Sequence, residues 1–199
     1  MKKNEIEAGY WGDCCSEVAF GEFCKQRMYM REMGLVPVGG EIDMQEKSVL
    51  DIGGGPMSML LRCRNVRGTV VDPIGWPSVV KHRYTCYGIE LFQIEGEHAN
   101  MLFRQGHTEP VYDEVWIYNC LQHVNDPAKV LENAKSLGRL IRIFEWLNTG
   151  SDVCHPHNLT TELLTKWLEG TKMESISIRR QTEFGCNCDA FAGVFKCAS

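Results

Sequence analysis

The stretch Val49-Leu50-Asp51-Ile52-Gly53-Gly54-Gly55-Pro56 carries the strongest signal of topology in the chain. A short apolar run that ends in an acid and breaks into three glycines reads as a strand leaving a sheet through a tight turn, at the edge where open α/β sheets bind ligands. Glycine lets a ligand approach the backbone. Pro56 is suited to open a helix whose first amides face that ligand, with Met57, Leu60 and Leu61 packing it on the sheet. The plainer alternative is an ordinary strand-to-helix turn. Downstream, Val70-Val71-Asp72 ends in a second acid about twenty residues after the turn, where a carboxylate can bridge ribose hydroxyls. The competing reading makes Asp72 only a turn residue before Pro73.

Working outward, short β-branched runs alternate with helical patterns from Lys47 onward, which predicts βαβ units and a mostly parallel sheet. Strands are expected at Ser48 to Ile52, Thr69 to Asp72, Leu91 to Glu95, Glu114 to Tyr118 and Arg139 to Phe144. A helix should start at Asp126 as N-cap with Pro127 in its first turn, bury Val130, Leu131, Ala134 and Leu137, and end before Gly138. Another should begin near Thr160, carry Leu163, Leu164, Trp167 and Leu168, and stop at Gly170. Ser175 to Gln181 and Ala190 to Lys196 flank the turn-rich Gly185-Cys186-Asn187-Cys188-Asp189 and predict a terminal antiparallel hairpin. Upstream, Val18, Phe20, Phe23, Cys24, Met28 and Met33 recur at near-helical spacing between a possible N-cap at Ser16 and a stop at Gly34. Pro37-Val38-Gly39-Gly40 then links a helical cap, residues 1–40, to an α/β core over 47–199, within one domain spanning 1–199.

Composition sets the outer bounds. A chain of 199 residues with 44% hydrophobic and 24% charged residues buries enough apolar surface to fold without disulfides. No apolar run reaches the roughly 20 residues of a spanning helix, so no membrane partner is expected. Met1-Lys2-Lys3-Asn4-Glu5-Ile6-Glu7 lacks the apolar core of a signal peptide, and a cytoplasmic location is the expectation. The ten cysteines are then read as reduced, mostly buried thiols. A net charge of −5 argues against a nucleic-acid partner. The oligomeric state stays open.

The pattern Leu50-Asp51-Ile52-Gly53-Gly54-Gly55-Pro56 resembles the first motif of class I S-adenosylmethionine-dependent methyltransferases, and Asp72, followed by Pro73, matches the acid that binds ribose there. Gln93-Ile94-Glu95-Gly96-Glu97-His98-Ala99-Asn100-Met101 resembles the third-strand motif, which implies that Glu97 meets the adenine amino group and the backbone near His98 meets the ring. Tyr112 to Val124 resembles the fourth-strand motif and implies that Asn119, with Cys120 and Leu121, lies beside the methionine part of the cofactor. The resemblance runs in motif order from about Ser48 to Phe144. It implies an open, mostly parallel Rossmann-like α/β sheet with helices on both faces, a terminal antiparallel hairpin and an N-terminal helical cap. The implied cofactor is S-adenosyl-L-methionine, with S-adenosyl-L-homocysteine as product. Met57 stands where the family often has a further glycine; this departure also speaks against a nicotinamide dinucleotide.

Methyl transfer from a sulfonium is an in-line displacement that needs positioning and a dry site, and a general base only where the acceptor must lose a proton. Glu145, His123, His155 and His157 are the candidates for that base; Glu145 serves equally as an anchor for a loop amide. Cys154-His155-Pro156-His157-Asn158 reads as a hydrogen-bonding loop that orders the pocket, with a metal site involving Glu145 or Asp152 as the weaker alternative, and none is assigned. Cys186, Cys188 and Cys197 lack the usual zinc spacing and read as core or turn thiols. The resemblance further implies that the segment Tyr10-Trp11-Gly12-Asp13-Cys14 and the helix carrying Tyr29 cover the cofactor, which makes Trp11 and Tyr29 site candidates. Packing of the helix on the sheet is the alternative for Trp11 and the preferred one for Phe20 and Phe23. A small-molecule acceptor is expected. Methylation of a protein or nucleotide, and a non-catalytic cofactor-binding module, are the competing readings.

Overall fold

The computed structural model describes residues 3–11, 17–102, 111–183 and 187–198. Two helices, α1 (Lys3–Trp11) and α2 (Glu17–Glu32), precede the sheet. There follow β1 (Ile42–Ile52), β2 (Cys63–Val71), α3 (Ser78–Cys86), β3 (Glu90–Phe92), β4 (Tyr112–Tyr118), α4 (Pro127–Leu137), β5 (Gly138–Leu147), α5 (Thr161–Trp167), β6 (Lys172–Gln181) and β7 (Cys188–Lys196). The strand order is β3-β2-β1-β4-β5-β7-β6. The strands from β1 to β5 pair in parallel, and β7 runs antiparallel between β5 and β6.

A parallel sheet is covered on both faces, so its strands bury consecutive residues instead of alternating ones. Val49, Leu50, Asp51 and Ile52 of β1 are all buried. On one face Val49, Val70, Trp116, Tyr118 and Phe144 pack with Met28 of α2, Met33 just after it, and Val80 and Tyr84 of α3. On the other, Leu50, Ile52, Val115, Ile117 and Ile143 pack with Val130, Leu131 and Ala134 of α4 and Leu164 of α5. Helices thus cover both faces, as expected.

Local chemistry fixes the helix ends. Asp126 accepts the Lys129 amide at 3.0 Å and Pro127 follows it, so α4 begins where the sequence predicts. It runs directly into β5 at Gly138, where a Cβ would lie 2.5 Å from the Val115 side chain. Thr160 caps α5 through the Leu163 amide. Gly34, at φ +71°, ends α2, with the Leu35 amide bonding the Met30 carbonyl at 2.8 Å. The cap expected at Ser16 and the side chains of Val18 and Phe20 lie outside the described residues, as does Cys186.

The strands exceed most of the expected bounds: β1 starts at Ile42 instead of Ser48, and β2 at Cys63 instead of Thr69. This corrects the expectation that Pro56 opens a helix. With β2 reaching back to Cys63, the connection holds only a 3-10 turn, Met59–Arg62, whose cap Ser58 accepts the Leu60 amide at 3.0 Å. Side chains meet the backbone groups that a helix would have satisfied internally. The Tyr84 hydroxyl donates to the Gly55 carbonyl at 2.7 Å and accepts the Ser58 amide at 2.9 Å. Tyr118 accepts the Met59 amide at 3.0 Å, Arg83 donates to the Pro56 carbonyl at 3.1 Å, and Gln26 donates to the Met57 carbonyl. The glycine turn is therefore held from α2, α3 and β4.

Candidate functional site

The carboxyl ends of β1, β2 and β4 open on a cavity of about 440 Å³. Gly53 and Gly55 form one wall, Asp72, Pro73 and Ile74 a second, and Glu95, Gly96 and Glu97 a third. The segment after β4 contributes Asn119, Cys120, Gln122, His123, Val124 and Asn125, while Trp146, Cys154 and His155 complete that side. The remaining wall is α1, through Lys3, Asn4, Ile6, Glu7, Tyr10 and Trp11, with Glu22 and Lys25 of α2 beside it.

Gly53 is dictated twice. Its φ of +75° is left-handed, and a Cβ there would lie 2.7 Å from the Cys120 side chain. The turn it makes carries the Gly53 amide to the Val71 carbonyl at 2.8 Å, which brings the ends of β1 and β2 together. Gly54 has no room either: its Cβ would stand 2.7 Å from the Asp51 carboxylate.

Asp72 is 4% exposed yet lines the cavity. Its two oxygens accept the Gly55 amide at 3.0 Å and the Ile74 amide at 2.9 Å. Burial pushes its carboxyl up to about 6, against the pull of those amides. Asp51, one strand over, does not line the cavity. It is fully buried beneath the turn, accepts the hydroxyls of Ser58 at 2.5 Å and Tyr118 at 2.6 Å, and is pushed by burial up to about 7. Its expected contact with a ligand is replaced by a supporting role under the glycines.

Glu97 lines the cavity while one oxygen accepts the amides of Asn125 and Asp126 at 2.6 and 3.0 Å. His98 is exposed and outside the cavity wall. Asn119, at φ +50°, lines the cavity and accepts the Gln122 amide at 3.1 Å. Gly54, Pro56 and Leu121 lie behind their wall-forming neighbours. Tyr29 is placed elsewhere altogether: it packs on Tyr118 and Phe144 within the core, at centroid distances of 5.7 and 4.7 Å. Trp11 does line the cavity and meets Trp76 edge-on at 6.3 Å.

The four acceptor-side candidates separate into two pairs. His123 and His155 line the cavity with their rings 4.5 Å apart. His123 Nδ1 is 2.8 Å from the Glu7 carboxylate of α1, and His155 Nδ1 is 3.1 Å from Asp152. Glu145 and His157 stand behind the wall, which corrects the reading that they face an acceptor. One Glu145 oxygen accepts the Cys120 and Leu121 amides, both at 3.0 Å, because the turn Leu121–His123 starts with amides that lack helical partners. Burial raises Glu145 to about 7. His157 Nε2 donates to the Val124 carbonyl at 3.0 Å and pins the same loop.

Sequence reasoning missed Lys3, Glu7, Glu95, Gln122 and Trp146. The signal for α1 was present: Lys3, Ile6, Glu7 and Tyr10 share one helical face by their spacing. Among the described residues no group of three or more His, Cys, Asp or Glu side chains is arranged to hold a metal ion. Cys188 and Cys197 are free thiols. No helix of the described residues is long and apolar enough to cross a membrane.

No protein-family profile and no curated protein matches the chain. Solved structures do. The 1,6-didemethyltoxoflavin-N1-methyltransferase of Burkholderia thailandensis, with bound 1,6-didemethyltoxoflavin and S-adenosylhomocysteine, superposes at a TM-score of 0.63 and 13% identity, over 98% of this chain and 87% of that one. The N-methyltransferase NodS of Bradyrhizobium japonicum WM9, in complex with S-adenosylhomocysteine, gives 0.60 and 11% over 88% of each chain. The [4+2]-cyclase SpnF gives 0.62 and 8% over 86% of this chain and 80% of that one. The fold is that of the class I S-adenosylmethionine-dependent methyltransferases. The cyclase shows that this fold also carries other chemistry, so the fold alone does not give the reaction.

Proposed function

We propose that this protein is an S-adenosylmethionine-dependent methyltransferase acting on a small molecule. The observation that carries the reading is Asp72: a carboxylate kept buried, without an ion pair among the described residues, at the end of the second strand and open only to the cavity. Each of its oxygens accepts one backbone amide, from Gly55 and Ile74, and vicinal ribose hydroxyls can donate to the lone pairs that remain. Gly53 and Gly55 leave the neighbouring wall free of side chains, and Glu97 and Asn119 lie along it, so the residues fit the cofactor.

S-adenosylmethionine, when bound, supplies a methyl group on a sulfonium that already is a good leaving group. The chain's own contribution is placement and dryness. Asp72 holds the ribose side, Glu97 and the backbone after it the adenine side, and Gly53 with Asn119 the amino-acid side. Glu145 and His157 are positioning residues: they fix the loop that carries Asn119, Cys120 and His123. Trp11 and Tyr10 of α1 close the cavity against water. His123 and His155 face the space left for the acceptor, and the neutral imidazole of either is suited to take a proton from it. Glu7 orients His123 through its Nδ1 proton. A cavity walled on this side by a helix favours a small acceptor over a macromolecule. The free thiols of the described cysteines agree with a cytoplasmic location, and the whole chain is taken to act as one domain.

The test is formation of S-adenosylhomocysteine when the purified protein and S-adenosylmethionine are incubated separately with the small-molecule, protein and nucleic-acid fractions of a cell extract. Product with the first fraction alone is expected. Product only with a macromolecular fraction would reject the acceptor class, and cofactor binding with no product in any fraction would favour a non-catalytic module.

A further inference from the structure

A second cavity, of about 410 Å³, shares no residue with the first. Arg27, Met30 and Arg31 reach it from one face of α2, since residues three and four apart stack on a helix. The segment after α2 adds Leu35, Val36 and Pro37, and Arg62 comes from the end of the 3-10 turn. No Asp or Glu lines it among the described residues. Arg31 is neutralised by Glu32 and Glu183, at 3.0 and 3.1 Å. Arg27 makes no hydrogen bond or ion pair among the described residues. Arg62 is held in place but not neutralised: its Nε donates to Gln26 Oε1 at 3.1 Å, its Nη2 donates to the Phe23 carbonyl at 3.0 Å, and its guanidinium lies 3.6 Å from the centroid of the Phe23 ring. Burial, and after it the charge of Arg27 nearby, pulls the Arg62 guanidinium below its usual pKa. A chain of net charge −5 therefore keeps two unneutralised arginines together beside apolar side chains.

We infer that this cavity binds a small organic phosphate monoester, its phosphate between Arg27 and Arg62 and its apolar body on Met30, Leu35, Val36 and Pro37. A monoester carries close to two negative charges at neutral pH, which matches the two unneutralised guanidiniums. Its oxygens accept the N–H donors of Arg62 that Gln26 and Phe23 leave over, on a side chain already ordered by those contacts. The apolar body accounts for the other part of the wall. Met30 and Leu35 are buried beneath it, while Val36 is 76% exposed, and a ligand seated there removes that side chain from water. A soluble molecule fits better than an anionic bilayer. A bilayer would meet a wide area of a chain with net charge −5, whereas a small ion senses the charges within a Debye length, about 8 Å at physiological ionic strength.

The experiment is calorimetric titration of the full chain with hexyl phosphate, hexan-1-ol and inorganic phosphate, repeated with Arg27→Gln, Val36→Asp and Arg179→Gln. All three positions are exposed, and circular dichroism confirms the fold of each variant. Hexyl phosphate should bind the wild type with a Kd of about 0.1 mM or below, and hexan-1-ol and inorganic phosphate about tenfold more weakly or worse. Arg27→Gln and Val36→Asp should each weaken hexyl phosphate by about tenfold or more. Arg179→Gln removes the same charge from β6 and should bind as the wild type does, which separates the local arginine from the net charge. A wild type that fails to bind hexyl phosphate up to about 10 mM would overturn the inference, and so would an Arg27→Gln variant that binds as well as the wild type. Equal affinity for hexan-1-ol would reject the phosphate site, and equal affinity for inorganic phosphate would reject the apolar one. Binding to phosphatidic acid vesicles without binding to hexyl phosphate would overturn the soluble ligand in favour of a lipid headgroup.

Discussion

Buried carboxylates at the two ends of the same sheet, one at the first and three at the second, sit under opposite conditions. Toward the amino end of β4, Glu114 is 2% exposed and fully neutralised: Arg142 Nε is 2.7 Å away, Lys47 Nζ 2.8 Å, and the Trp116 indole donates at 2.9 Å. Burial opposes its charge, but Arg142, Lys47 and Trp116 prevail and hold the carboxyl at about 2. Arg142 goes on to cap α2 through the Met33 carbonyl at 2.8 Å, so this cluster ties the helix to the sheet. At the carboxyl end, Asp51, Asp72 and Glu145 have no ion pair among the described residues, and burial lifts them to about 7, 6 and 7. One oxygen each of Asp51 and Glu145 is buried without a hydrogen-bond partner among the described residues. The first end is built for stability. The second keeps an electrostatic cost, and at Asp72, which of the three lines the cavity, a ligand with hydroxyls or positive charge relieves part of it.

The largest effect that would break this contrast is at Glu114. Glu114→Ala leaves the partly buried Arg142 without its carboxylate partner, and urea unfolding at neutral pH should show a loss of about 3 kcal/mol. Asp51→Asn should change stability by less than about 1 kcal/mol at pH 6, because the native carboxyl there is already largely protonated. Equal losses for the two variants would remove the distinction.

The pH dependence comes next in size. An acid whose folded pKa is raised stabilises the fold fully below its unfolded pKa, near 4, and that contribution is lost as pH rises through 6 to 7. Glu114 acts in the opposite sense, with its contribution present above about 4.5 and lost as pH falls toward 2. Calorimetric Tm should therefore peak near pH 4 and decline toward pH 7, and Asp51→Asn should flatten the decline. A Tm that rises steadily from pH 5 to 8 would contradict the assignment. The smallest effect belongs to the cavity's outer wall. Trp11→Ala should weaken S-adenosylhomocysteine binding by severalfold in a fluorescence titration while leaving Tm within about 3 °C, since Trp11 is only partly buried.

How much of this was legible depends on whether local sequence or distant packing decides each feature. Asp51, Gly53 and Asp72 sit at strand ends that a short apolar run announces, and the structure places them at one sheet edge. The α4 boundaries were readable because Asp126 and Pro127 act within one turn. The absent helix after Pro56 was not, because its replacement depends on Tyr84, Tyr118 and Gln26, which arrive from three other elements. Nor does a sequence reveal which way a strand-end acid faces. Glu145 turns back to two loop amides while Asp72 opens to the cavity, a difference set by the packing of neighbouring loops. α3 was missed because Val80 and Tyr84 are its only buried residues, too few to mark a periodic stripe.

The most direct test of the central claim is calorimetric titration of the purified protein with S-adenosylmethionine and with S-adenosylhomocysteine, repeated with Asp72→Ala. Micromolar binding of both ligands by the wild type, weakened about a hundredfold or lost in a folded variant, is the expected result. A folded wild type that binds neither ligand, or a variant that binds as well as the wild type, would contradict the account.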